Sequence, residues 1–144
     1  QLFGTSVQAE LEIADHKINQ NDIRDVMDYL QLTKYADTHP FSLSGGQKQR
    51  IQVALGILSN RKVIIFDEPT SGLDLISMRR VAKEIQELKK KACVIVISHD
   101  YEFIRYISNR VVYLKDKTVK KDIPLDAKHI SEFNQIFIEM RDEL

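Results

Sequence analysis

Leu43-Ser44-Gly45-Gly46-Gln47, followed downstream by Val63-Ile64-Ile65-Phe66-Asp67-Glu68-Pro69, decides the fold. In the first stretch two glycines let backbone N–H groups approach a ligand closely, Ser44 offers a hydroxyl, and a helical pattern begins at once. A helix start concentrates roughly half a positive charge on its unpaired donors, which suits an anion. Taken alone, the stretch is equally a glycine-rich helix start with no ligand. The second stretch is a short apolar strand that delivers two adjacent carboxylates at its end. Ligand crevices form at the carboxyl ends of strands in open α/β sheets. A carboxylate there, as at Asp67, commonly serves Mg²⁺ directly or through water. Glu68, one residue on, can orient or deprotonate an attacking water. Asp-Glu-Pro alone is also compatible with an acidic turn ended by Pro69.

Working outward, Ile23, Val26, Met27 and Leu30 predict a helix over 22–31, and Pro40 and Ser42 break the pattern before Leu43. Residues 1–20 show no clear period. Ile51, Ala54, Leu55 and Leu58 predict a helix over 46–59, and Val53 and Ile57 add a second apolar face, so it is expected to be well buried. Lys62–Phe66 reads as a strand covered on both faces, as in a parallel sheet. Met78, Val81, Ile85 and Leu88 predict an amphipathic helix over 76–91. Its last turn carries Lys89, Lys90 and Lys91, cations suited to a helix C-terminus and to solvent. Cys93–Ile97 is a second apolar strand, Tyr101 to about Ile107 a short helix, and Arg110–Leu114 a third strand. Lys115-Asp116-Lys117 reads as a turn into a last short strand near Val119. Ile130, Phe133, Ile136, Phe137 and Met140 stripe a C-terminal helix for packing. The strand–helix–strand–helix–strand order from 62 to 114 predicts an α/β sheet.

Two further stretches carry chemistry. Ser71-Gly72-Leu73-Asp74 is a tight loop leading to a helix that Asp74 can cap. Ser98-His99-Asp100 closes the second apolar strand, so consecutive strands would set Asp67, Glu68 and His99 along one sheet edge. His16, His39 and His129 have no such setting and read as structural or solvated.

Bulk properties exclude several classes. A chain of 144 residues suits one domain with a real core. Lys plus Arg and Asp plus Glu are both 21, so no net positive charge supports a nucleic-acid partner. No apolar run approaches the roughly 18–20 residues of a membrane span. Glu10, Glu12 and Asp15 interrupt any secretory core. Cys93 is the single cysteine, which fits a reducing compartment, and its apolar run makes it a small core hydrophobe.

With these residues in view, the chain resembles the ABC (ATP-binding-cassette) ATPase family. Leu43–Gln47, Val63–Glu68, Ser71–Asp74 and Ser98–Asp100 stand in the family's order, and the likeness covers nearly all of residues 1–122. It implies a P-loop NTPase-type three-layer α/β fold, with ATP and Mg²⁺ as cofactors and a head-to-tail dimer. By likeness Ser44 and Gly46 reach the γ-phosphate of ATP on the opposite subunit, Gln47 lies near its ribose, and Gly45 between them belongs to the same nucleotide-binding stretch. Asp67 holds Mg²⁺ through water, Glu68 is the general base, Asp74 crosses the dimer interface, and His99 contacts the γ-phosphate. The partners implied are a second ABC ATPase subunit or domain and a membrane-embedded transporter subunit, at the cytoplasmic face of the membrane. Gln1-Leu2-Phe3-Gly4 and Asp100-Tyr101-Glu102-Phe103 are similar to the energy-coupling-factor and cobalt-type importers.

One family part is missing. The phosphate loop needs Gly-x-x-x-x-Gly-Lys-Ser/Thr, and none of the glycines at 4, 45, 46, 56 and 72 stands before such a pair. The chain therefore resembles the second half of the domain. Residues 1–43 would be part of the helical subdomain, 44–124 the signature helix and core sheet, and 125–144 a C-terminal helix. Starting at Gln1 rather than Met, it reads as a piece of a longer protein, and alone it is expected neither to bind ATP tightly nor to turn it over. Two other readings are compatible with the motifs: an ABC protein outside transport, and a stand-alone interaction module without ATPase activity.

Overall fold

The structure, a computed structural model, describes residues 4–14 and 18–141. His16 and the Gln1–Phe3 part of the importer likeness lie outside the described residues. The chain divides into two compact units, Gln1–His99 and Asp100–Leu144.

The first unit begins with α1 (Val7–Glu12), capped by Ser6, whose hydroxyl accepts the Ala9 N–H at 3.2 Å. Sequence periodicity missed this helix because it is a turn and a half long, with only two buried apolar residues, Val7 and Leu11, at i, i+4. In α2 (Gln20–Tyr29), capped by Asn19, Ile23 and Met27 are buried while Val26 is half-exposed. Two 3₁₀ turns, Thr33–Tyr35 and Pro40–Ser42, lead into α3 (Gly45–Leu58). Ile51, Val53, Ala54 and Leu58 are buried around its circumference, as its two apolar faces predicted.

Strand β1 (Val63–Asp67) and strand β2 (Cys93–Ile97) are parallel, in register from Val63 opposite Cys93 to Asp67 opposite Ile97. The crossover between them contains α4 (Leu75–Leu88), which buries Val81, Ala82, Ile85 and Leu88. Three expectations need correction. The strands are covered on one face only: Ile64 and Phe66 are 8% and 6% exposed, whereas Val63 and Ile65 are 56% and 61% exposed. A continuous apolar run marks a strand able to be covered twice; what covers it is decided by the rest of the fold. Cys93 lies on the open face and is exposed, so it is not a core residue. Finally α4 stops at Leu88, and Lys89–Lys91 form the following turn, where Lys90 Nζ pairs with Glu87 at 2.6 Å.

In the second unit α5 (Tyr101–Ile107) is capped by Asp100, whose carboxylate accepts the Phe103 N–H at 3.0 Å. Strands β3 (Arg110–Lys115) and β4 (Thr118–Pro124) form an antiparallel hairpin. The third strand therefore belongs to a second sheet rather than to the β1–β2 sheet. Asp116 and Lys117 at the turn have φ of 51° and 61°, the left-handed pair that matches hairpin twist and brings β4 back at once. Helix α6 (Ile130–Arg141) packs Phe133 and Ile136 on Ile104, Tyr113 and Ile123. Tyr101 stacks on Phe133 at 5.2 Å between centroids, and its hydroxyl donates to Asn134 Oδ1 at 2.7 Å. Among the described residues no helix is long and apolar enough to cross a membrane.

Candidate functional site

Ser44 is the N-cap of α3 in a reciprocal capping box: its hydroxyl accepts the Gln47 N–H at 3.4 Å, and its own N–H donates to Gln47 Oε1 at 2.8 Å. Gly45 and Gly46 carry first-turn N–H groups that the helix ladder leaves without an intrahelical acceptor. The two glycines are not equivalent. A Cβ at Gly45 would meet nothing within 4 Å, so the surface there is open. A Cβ at Gly46 would lie 2.7 Å from the Gly72 carbonyl oxygen. Gly46 is thus required for contact with the 71–74 loop, where Gly72 has φ +71°.

That loop ends at Asp74, the N-cap of α4. Its Oδ1 accepts the Ser77 N–H at 2.9 Å and its Oδ2 the Ser77 hydroxyl at 2.8 Å. These two bonds, the backbone one first, hold the Asp74 carboxyl below its usual pKa of 3.8.

Asp67 ends β1, and Glu68 turns the chain away from it. Glu68 has φ 47°, a left-handed conformation that disfavours a residue with a Cβ by about 1–2 kcal/mol. Three backbone bonds retain it. Its N–H donates to the Ile97 carbonyl at 2.8 Å, and its carbonyl accepts the Ser71 N–H at 3.1 Å and Gln49 Nε2–H at 2.6 Å. Its carboxylate meets His99 Nδ1 at 2.8 Å through Oε1 and accepts the Ser98 hydroxyl at 3.4 Å through Oε2. Parallel pairing of β1 with β2 thus brings Asp67, Glu68 and His99 to one sheet end. Gln49 and Asp67 also border an open cleft of about 400 Å³ between α3 and β1, lined in addition by Gln52, Gly56, Phe66 and Pro69.

The predicted residues therefore form two clusters, Ser44–Gln47 with the 71–74 loop and Asp67–Glu68 with His99, both in contact with α3. Sequence reasoning missed Gln49 and Ser98. The signal for Gln49 was a long polar side chain on a helix otherwise apolar on two faces; Ser98 had only its place beside His99.

The chemistry of these donors fits an anionic nucleotide. At an open Gly45, first-turn N–H groups and a serine hydroxyl can donate to phosphate oxygens without displacing protein atoms. The fit to Mg²⁺ is as one partner only. Among the described residues no group of three or more His, Cys, Asp or Glu side chains could hold a metal. A lone Asp67 matches the usual Mg²⁺ arrangement of one carboxylate, waters and substrate phosphates.

Comparison with known proteins bears on the family and the fold. The family model described as ABC transporter matches residues 2–71. A putative ABC transporter ATP-binding protein of Treponema denticola is 44% identical over 130 residues, 90% of this chain and 27% of that protein. The dimeric structure of a bacterial ABC transporter cassette superposes with a TM-score of 0.74 at 25% identity, over 85% of this chain and 57% of that one. The same cassette as a dimeric post-hydrolysis state bound to ADP and Pi gives a TM-score of 0.70 at 26% identity, over 84% and 55%. The chain belongs to the ATP-binding domains of the ABC transporter family, whose members bind ATP, and has their P-loop NTPase-type α/β fold. It spans little more than a quarter of the length of the Treponema relatives that it matches.

Proposed function

We propose that this chain supplies the signature helix, the catalytic carboxylates and the γ-phosphate histidine of an ATPase that works as a head-to-tail dimer to energise membrane transport. The observation that carries the reading is the Glu68 carboxylate, set beside Asp67 at the end of a parallel strand and paired with His99 at 2.8 Å. ATP supplies the phosphoanhydride that is cleaved, and Mg²⁺ offsets phosphate charge. Asp67 would hold the metal. Glu68 takes a proton from the attacking water. His99 bonds the γ-phosphate and helps to place that water. Ser44 and Gly46 bind the γ-phosphate of ATP held by the partner subunit, with Gly45 in the same nucleotide-binding stretch and Gln47 near the ribose. Asp74 contributes at the dimer interface from a loop already packed on Gly46.

In this reading residues 1–43 belong to the helical subdomain, 44–124 to the signature helix and core, and 125–144 to a C-terminal helix. The partners are a second ABC ATPase subunit or domain and a membrane-embedded transporter subunit, at the cytoplasmic face. The narrower assignment, to energy-coupling-factor or cobalt-type importers, rests on the sequence likeness of Gln1-Leu2-Phe3-Gly4 and Asp100-Tyr101-Glu102-Phe103.

The test is phosphate release from Mg-ATP by the full-length protein. Glu68→Gln should bind ATP yet turn it over about 10²–10⁴-fold more slowly. Equal rates for the two forms would overturn the assignment of the base.

A further inference from the structure

We propose that Gln49 is a positioning residue for Glu68, tying the base to the helix that presents Ser44–Gln47; this rests on the reading of Glu68 as the base. Glu68 stands in a left-handed conformation between β1 and the 68–71 turn. For its carboxylate to face Ser98 and His99, the peptide that follows it must keep one orientation. The carbonyl of that peptide has two acceptor positions, and both are used, by the Ser71 N–H at 3.1 Å and by Gln49 Nε2–H at 2.6 Å. The Ser71 bond is local and moves with the turn. The Gln49 bond comes from a different element, part-buried and nineteen residues away in sequence. It is therefore the contact that refers the orientation of Glu68 to α3.

A relaxation of Glu68 toward the extended region would rotate this carbonyl off Gln49 and swing the carboxylate off His99. The two bonds hold or fail together. Gln49 follows Gln47 on the same helix, so a displacement of α3 by a nucleotide at Ser44–Gln47 reaches the Glu68 carbonyl through one side chain. If the signature helix serves the partner's ATP while Glu68 serves its own, this bond links the two sites of the dimer within one chain.

The full-length protein tests this. Gln49→Met keeps the length and bulk of the side chain and removes the donor. It should lower kcat for Mg-ATP hydrolysis about tenfold to a hundredfold, as expected for a displaced catalytic group, with KM for ATP changed by no more than about twofold. Added to Glu68→Gln it should lower kcat no further. Without nucleotide, the His99 ring signals in ¹⁵N–¹H NMR should move in Gln49→Met, because they report the bond to Glu68. Gln49→Asn, one methylene short of the carbonyl, should behave alike and serves if the methionine variant folds poorly. Unchanged His99 signals, a rise in KM with kcat held, or additive losses in the double variant would each overturn the proposal. If the unmutated protein hydrolyses no ATP, the reading of Glu68 as a base fails, while the His99 signals still decide whether Gln49 positions its side chain.

Discussion

His99 Nδ1 lies 2.8 Å from Glu68 Oε1, a pairing across the ends of two parallel strands. An ionised Glu68 only accepts, so Nδ1–H donates and Nε2 is an acceptor on the neutral ring. A phosphate oxygen also accepts. His99 can therefore bond a γ-phosphate through Nε2 only as the imidazolium, or by releasing Glu68 and changing tautomer. On the proposed reading, either route would make His99 a register of the nucleotide state.

Binding of a non-hydrolysable Mg-ATP analogue to the full-length protein should accordingly give the His99 ring an Nε2–H in ¹⁵N NMR, and His99→Ala should lower turnover about 10²-fold. A ring spectrum unmoved by the saturating analogue would show that His99 does not touch the phosphate.

Gly45 and Gly46 should separate binding from folding. Gly45→Ala faces open space, so the thermal midpoint should hold while ATP turnover falls. Gly46→Ala drives a Cβ onto the Gly72 carbonyl, a rigid neighbour, and should destabilise by about 1–3 kcal/mol. Chemical denaturation of both variants reads the difference. A stable Gly46→Ala would mean that the 71–74 loop yields easily.

The cap of α4 predicts an acid limit. The folded-state pKa of Asp74 is depressed by the Ser77 N–H and hydroxyl, so the cap's stabilisation is complete above the ordinary value of 3.8 and is lost as pH falls through the lowered one. Ser77→Ala removes the hydroxyl donor and leaves the larger, backbone contribution. In an NMR titration its Asp74 pKa should rise but remain below 3.8. A value unchanged by the substitution would show that the hydroxyl bond contributes nothing.

The 144-residue polypeptide made alone should self-associate and bind Mg-ATP weakly. Val63, Ile65, Ile95 and Ile97 lie on the open face of the β1–β2 sheet, an apolar surface of the kind that drives association. The phosphate-loop pattern is absent from these residues. Sedimentation should show mass rising with concentration, and calorimetry with Mg-ATP should show no stoichiometric tight binding. A monodisperse monomer with micromolar affinity would contradict both expectations.

Much of the site was legible because its signals are local. Ser44 and Gln47 cap α3 from three residues apart. The apolar runs ending at Asp67 and Ile97 state where two strands stop, and their parallel pairing follows from the helix between them. The left-handed turn at Asp116 and Lys117 and the spacing of Phe133 and Ile136 also depend on near neighbours.

What the sequence by itself determined, then, is the order of elements from α2 onward, the cap at Asp74 and the chemical kind of residue at each strand end, since these rest on hydrogen bonds and periodicities within a few positions. Tertiary structure alone decided which strand face is covered, and so that Cys93 is exposed rather than buried. It alone decided that β3 pairs with β4, that Gly46 serves the Gly72 contact, and that Gln49 reaches the Glu68 carbonyl. The reason is physical: an apolar side chain or a free amide states what it needs, but which surface or carbonyl meets that need depends on elements brought together only when the chain is packed.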